Sequence, residues 1–325
     1  MTRAKRLAMA LLLVACTTKD RAPDPLAQPG PRYYVVGPQP TRTLGKNPLT
    51  LLPGFGVAIV DERDQAGMRI GRTSLGRELP LRDLRPAHPS TFAGVTLDGR
   101  ALDFGWVVSA NAALRESPSP TAKVLGRKPR YTRLTLTARG GPEGYYQTVG
   151  GWIAAADFRV PTLAPPPAGV GPDEPWLEVD LASQTLVAYH GRQPRFATLV
   201  STGIGAPGTA FATPVGEHRI RAKLLASTMD NLSHTEVIPY SYEEVPFTQY
   251  IGRVALHGAF WHDQFGHRRS HGCINVSLAD AERLFAFTRP RLPDGANEIT
   301  PASPAAATLI RIRGTPAALG DDREP

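Results

Sequence analysis

The chain has 325 residues, with 37 Lys plus Arg against 29 Asp plus Glu and a formal net charge of +8. That length allows two or three modest domains with ordinary cores, and the composition excludes a disordered chain. With 32 Pro and 31 Gly, turns and short strands should outnumber long helices, so the expected fold is mainly β with a few helices.

Arg3, Lys5 and Arg6 stand ahead of an apolar run from Leu7 to Ala15 that is too short to span a bilayer, which is the pattern of an export signal. The run closes as Leu13-Val14-Ala15-Cys16, which resembles a bacterial lipobox. The resemblance implies a lipoprotein signal over residues 1–16, with Cys16 acylated as the mature first residue and a membrane as partner through that lipid. The alternative is an ordinary cleaved signal with Cys16 incidental. Loss of Arg3, Lys5 and Arg6 takes the formal net charge from +8 to +5. A mildly basic exported chain suits an anionic envelope surface, or its charges only solubilise it, and nucleic acid is not an expected partner. The expected location is the cell envelope, lipid-anchored on the periplasmic side. Thr17 after Cys16 favours the outer membrane in a two-membrane cell.

Residues 17–32 are polar and Pro-rich, and read as a tether. From 33 to 161 come short β-like runs such as Val57-Ala58-Ile59-Val60 and Leu134-Thr135-Leu136-Thr137, broken by Gly, Pro and Asp clusters. A weak echo relates Thr73-Ser74-Leu75-Gly76 through Asp83-Leu84-Arg85 to Thr148-Val149-Gly150-Gly151 through Asp157-Phe158-Arg159. The second copy, with Asn111-Ala112-Ala113-Leu114-Arg115 before it and Gly151-Trp152-Ile153 within it, resembles a bacterial SH3-like module. One or two small SH3-like β-barrels are therefore expected, at 98–161 and at 33–97, as wall-peptide binders or as passive spacers.

Residues 162–175, containing Ala164-Pro165-Pro166-Pro167-Ala168-Gly169, form a Pro-rich linker. Beyond it, Trp176-Leu177-Glu178-Val179-Asp180-Leu181 and Gln184-Thr185-Leu186-Val187-Ala188-Tyr189 alternate across Ala182-Ser183 as a hairpin would. Arg195 to Thr202 supplies a further strand, and Thr213-Pro214-Val215-Gly216 turns the chain into another. Helical spacing is clear only at Ala279–Phe287, with Ser277 as cap and Leu278, Ala281, Leu284 and Phe285 on one face. Leu309 to Ile312 is a last strand, and 314–325 a loose tail.

The chemistry concentrates between His257 and Asn275. Four of the chain's eight histidines, His257, His262, His267 and His271, fall in this stretch beside Cys273. A cysteine attacks carbonyls as thiolate, and a nearby imidazole can take its proton and return it to a leaving group. The chain has two cysteines, which in an exported protein would normally pair. Lipid on Cys16 leaves Cys273 free, and catalysis is a good reason to keep an unpaired thiol in an oxidising compartment. The alternative is a buried, inert cysteine.

With His257 sixteen positions before Cys273, and Ser270-His271-Gly272-Cys273-Ile274-Asn275 following, residues 176–313 resemble the L,D-transpeptidase catalytic domain of the YkuD family. The Thr213–Gly216 run and the Val245-Pro246-Phe247 approach to Val254-Ala255-Leu256-His257 resemble family positions too. The resemblance implies a β-sandwich-like catalytic fold, Cys273 as nucleophile and His257 as its base, with the Gly258 carbonyl orienting the imidazole. It also implies an oxyanion hole from backbone amides around His271, Gly272 and Cys273, and hydrogen bonds from Ser270 and Asn275 that hold loop and substrate. Trp261 would wall the cleft or simply join the core. His262 and His267 read as ordinary loop histidines.

The implied activity is a cysteine acyltransferase that acts on peptidoglycan stem peptides through a Cys273 thioester, with carbapenem-type inhibitors and no metal or organic cofactor. The same acyl-enzyme would serve an L,D-carboxypeptidase, or an enzyme attaching or detaching proteins at the wall. Two other readings are a zinc-dependent wall hydrolase using the histidine cluster and a non-catalytic wall-binding lipoprotein.

Overall fold

The computed structural model describes residues 31–98, 101–138, 144–206, 208–232 and 239–314. The signal, Cys16, nearly all of the tether and residues 315–325 lie outside the described residues.

The fold is mainly β, with one α-helix among the described residues. The hairpin expected after residue 175 forms from Pro175–Asp180 and Thr185–His190, in the register Asp180↔Thr185 to Pro175↔His190. Its turn is set by Asp180, whose Oδ1 accepts from Ala182 N at 2.9 Å, the local bond that makes Asp a turn former. Gln193–Leu199 adds on one side and Leu309–Arg313 on the other, the latter parallel to Pro175–Asp180. A second sheet faces this one, in which Ser241–Ile251 pairs with Val254–Gly258, and Val254–Gly258 pairs in parallel with Ile274–Val276. Leu177, Val179, Leu186 and Ala188 from the first sheet meet Ile251, Leu256, Ile274 and Val276 from the second in one dry core. Each fully buried aliphatic chain contributes about 1.5–3 kcal/mol. Opposed apolar faces make this a sandwich.

Helix α1 spans Leu278–Phe287. Ser277 Oγ accepts from Asp280 N at 3.2 Å, as the N-cap expectation requires. Ala281, Leu284 and Phe285 are buried, while Leu278, expected on the same face, is half-buried. Asp280 is buried as well and ties the helix outward, accepting from Gly94 N at 2.9 Å and from Thr198 Oγ1 at 2.5 Å. The last turn is held by Lys223, a buried ammonium that donates to Phe285 O, Thr288 O and Pro290 O at 2.6, 3.0 and 2.8 Å. A cation there meets the carbonyls that the helix end leaves unpaired.

The two N-terminal regions attach differently. Residues 104–159 build a seven-stranded sheet of their own, in the spatial order Val124–Pro129, Asn111–Arg115, Gly151–Ala154, Tyr145–Thr148, Arg133–Ala138, Phe104–Val107, Phe158–Arg159. Strands Arg32–Val36, Gly56–Gln65, Met68–Thr73 and Leu84–Pro86 instead join the second sheet of the C-terminal sandwich through one parallel bridge, Gly56↔Tyr242. Val95–Thr96 crosses to the first sheet of that sandwich and pairs with Gln193–Leu199. The sequence echo has a local structural counterpart. Both copies end in a single 3-10 turn, Leu81–Asp83 and Ala155–Asp157, followed by a short strand.

The Pro-rich run lies against the C-terminal sandwich. Pro165 O accepts from Arg311 at 2.7 Å, and Ala164 N donates to the Tyr189 hydroxyl at 3.0 Å.

Candidate active site

The register of the parallel pair builds the site. Leu256↔Ile274 and His257↔Asn275 are partners, so alternation places Ala255, His257, Cys273 and Asn275 on one face and Leu256, Ile274 and Val276 on the core face. The two expected reactive groups thus stand diagonally across adjacent strands. Both line one cavity of about 320 Å³, whose walls include Tyr242, Trp261, Ser270 and His271. Cys273 is half-buried and unpaired.

The expected Gly258 carbonyl is in place, 3.1 Å from His257 Nδ1. A carbonyl can only accept, so Nδ1 carries the proton and Nε2 keeps its lone pair for the cavity. His257 is 2% exposed, and burial lowers its pKa to about 4. Burial also pushes the Cys273 thiol up, against the pull of the Ala255 backbone. Each group alone is therefore neutral at pH 7, and the resting pair is thiol and imidazole. The sequence pointed to a thiolate as the reactive form; in the cavity, burial disfavours the charged form of both groups.

The Ser270–Asn275 turn is fixed by its own polar groups. Ser270 Oγ donates to Cys273 O at 2.5 Å and accepts from Gly272 N at 3.1 Å. Gly272 has φ +119°, and a Cβ there would lie 3.3 Å from both Ala212 O and Val254 Cγ1, so the turn needs glycine. Its amide, one of the expected oxyanion donors, is engaged by Ser270. Thr213 is buried, donates to Gly272 O and accepts from Gly203 N, both at 2.8 Å. This accounts for the Thr213-Pro214 motif: the hydroxyl pins the turn to the 201–204 segment. Ser201 and Asn275 exchange backbone bonds at 2.8 and 2.9 Å across the same seam.

Trp261 stacks on Tyr242 at 3.8 Å with planes 13° apart, and its ring centroid is 5.7 Å from that of His257. It is half-buried, lining the cavity and also packing against the apolar core that contains Ala259 and Phe265. His271 also lines the cavity, its ring edge-on to Phe211 at 5.0 Å and tilted against Tyr240 at 4.7 Å.

His262 is the residue the sequence undervalued. Its Nδ1 lies 3.3 Å from Gln264 N and its Nε2 3.0 Å from the Asn275 carboxamide. The backbone amide can only donate, so Nε2 must carry the proton and meet the carboxamide oxygen, which gives Asn275 Oδ1 the partner it otherwise lacks. Burial, with Arg269 and His257 nearby, lowers the His262 pKa to about 3 and keeps it neutral. Asn275 spends its side chain on this contact. His267 Nε2 is 3.3 Å from Val108 O, which makes it a contact to the second N-terminal unit. Among the described residues no group of three or more His, Cys, Asp or Glu is arranged to hold a metal ion, and no helix is long and apolar enough to cross a membrane.

Residues 174–310 match the family model YkuD, L,D-transpeptidase catalytic domain. This part of the chain belongs to that family. Solved structures similar to the chain include the catalytic domain of the Enterococcus faecium L,D-transpeptidase, 23% identical over 43% of this chain and 98% of that one, with a TM-score of 0.32. An L,D-transpeptidase from Mycobacterium smegmatis is 18% identical over 79% of this chain and 99% of that one, with a TM-score of 0.33. Mycobacterium tuberculosis L,D-transpeptidase 1 is 18% identical over 44% and 63%, with a TM-score of 0.30. No curated protein matches the chain.

Proposed function

We propose that the chain is an envelope L,D-transpeptidase acting on peptidoglycan stem peptides through Cys273. The observation that carries this reading is the placement of His257 and Cys273 on one strand face at a single cavity, with Nδ1 committed to Gly258 O.

Sulfur attacks the carbonyl between the L-centre of a stem diamino acid and the terminal D-residue, and its proton passes to His257 Nε2. With Gly272 N engaged by Ser270, the oxyanion falls to the Cys273 amide in the same turn. Collapse expels the D-amino acid, whose nitrogen takes the proton from Nε2, and leaves a thioester. An amine from a second stem then forms the new C–N bond, the C–S bond breaks, and the thiol is restored. Water in place of the amine gives a carboxypeptidase, and a protein amine would give attachment to the wall. Carbapenems are expected to acylate the same sulfur. A lipid on Cys16 would hold the enzyme on the periplasmic face of the membrane.

Mass analysis after incubation with a defined tetrapeptide stem tests this. The wild type should gain the acyl adduct and Cys273→Ala none. His257→Gln should slow acylation by a factor on the order of 10²–10⁴. Acylation by Cys273→Ala would refute the nucleophile.

The protonation states give a second test. The base works only when neutral, so kcat/KM for acylation should rise with pH through about 4, the lowered pKa of His257, and hold through neutrality. An acid limb centred near 6.5, the ordinary histidine value, would mean that the imidazole is solvated or that another group is the base.

A further inference from the structure

We infer that a second cleft, between the first N-terminal unit and residues 260–263, seats the acyl acceptor, a second stem peptide held by its carboxylate on Arg85. This rests on the transpeptidase reading above. The cleft has a volume of about 550 Å³; one wall is Val35 and Arg85 to His88, the other Phe260, Trp261, His262 and Asp263. Its position relative to the reaction cavity is fixed by shared residues. Trp261 lines both spaces, and His262, which lines the cleft, touches Asn275, which lines the cavity. One layer of side chains therefore separates them.

The donor must occupy the reaction cavity, because its carbonyl has to reach Sγ. Transpeptidation needs a second peptide whose backbone lies outside that cavity while one amine reaches over its rim, and a cleft sharing the Trp261 wall meets this requirement. In the step it serves, the amine nitrogen bonds the thioester carbon, the C–S bond breaks, and the amine's proton ends on the departing sulfur by way of His257.

The charges favour an anion. Arg85 and His88 are exposed, and their side chains make no hydrogen bond or ion pair with any described residue. Asp263 is the acidic side chain of the lining, and it lies close to the Tyr131 hydroxyl and to Arg130. A free guanidinium beside an aromatic wall suits a peptide carboxylate, which it can grip with two parallel N–H groups. Stem peptides carry such a group at their C-terminal end.

The experiment separates the two half-reactions in the full chain. Acylation is followed by mass with donor tetrapeptide alone, and resolution of the isolated acyl-enzyme is then measured against acceptor concentration. Arg85→Ala should acylate at the wild-type rate but need roughly tenfold more acceptor for half-maximal resolution, the loss of one charge-assisted contact. Arg85→Glu should need more still, Arg85→Lys should recover part of the loss, and the maximal rate should stay unchanged. Wild-type acceptor dependence in Arg85→Glu would overturn the assignment, as would slower acylation, which would make the cleft a donor site. Absence of any adduct on the wild type would instead sink the transpeptidase reading, and this inference with it.

Discussion

The two N-terminal units share a local sequence echo but grip the catalytic domain by different physics. The first is spliced into the catalytic sheet at Gly56↔Tyr242, lays Tyr33 on Phe260 at 4.2 Å, and sends Arg77 to Glu243 at 3.1 Å. Glu243 is fully buried and also accepts from Ala58 N at 3.3 Å. The second keeps its own sheet and holds the 263–267 loop by single hydrogen bonds. Phe265 N donates to the Tyr131 hydroxyl at 3.2 Å, Arg130 to Asp263 O at 2.6 Å, and Arg159 Nε to Gly266 O at 2.9 Å. One unit props the cavity wall through Tyr242 and Phe260. The other steadies the loop that runs from Trp261 to Ser270. The first attachment includes a buried charge that fails badly if unpaired; the second combines a shared apolar core, in which Leu102, Phe104, Trp106 and Val108 meet Trp176, Tyr189 and Leu199, with several separable hydrogen bonds to the loop.

The sharpest break in this contrast is Arg77→Ala. It leaves the Glu243 carboxylate buried without its cation, a change that costs about 3–5 kcal/mol where buried pairs have been cut, read as a lowered denaturation midpoint. The pH dependence identifies the cause. Burial already raises the Glu243 pKa, with Ala58 N and Arg77 pulling it down, so loss of Arg77 raises it further. A carboxyl whose folded pKa exceeds its unfolded one adds stability as pH falls through the folded value, because the folded state then binds the proton first. The variant's deficit should therefore shrink between neutral pH and pH 5, and a deficit independent of pH would show that lost packing, not charge, explains it.

Much of the site could be read in the sequence because it is local. His257 and Cys273 announce themselves by residue type and spacing, the 175–190 hairpin by alternation, and α1 by its period and its Ser277 cap. What could not be read depends on partners far along the chain. Nothing near Gly56 signals that a residue almost two hundred positions later will pair with it, and its lack of a side chain is the only hint: a Cβ there would fall 2.7 Å from Tyr242 and 2.8 Å from Phe260. His262 looks like any loop histidine until Asn275 is brought against it. The Pro-rich run reads as a spacer by composition, yet its carbonyls and amides find Arg311 and Tyr189. The neutral resting pair was hidden for a related reason, since burial is a property of the assembled cavity and not of the His and Cys letters.

The smallest expected effect tests the hydrogen bonds between the second unit and the loop. Tyr131→Phe keeps the ring on Phe92 and in the cluster that contains Phe265 and deletes only the hydroxyl that accepts from Phe265 N. Stability should fall by about 0.5–1.5 kcal/mol, the usual net value of one hydrogen bond. If the second unit merely covers the catalytic domain, the acylation rate stays at wild type. If it steadies the loop that carries His262 to Asn275, kcat for acylation should drop severalfold with the acid limb of the pH profile unmoved, because His257 keeps Gly258 as its partner. A shifted acid limb would place the disturbance at the base itself, and the separation between a wall held by the first unit and a loop held by the second would no longer stand.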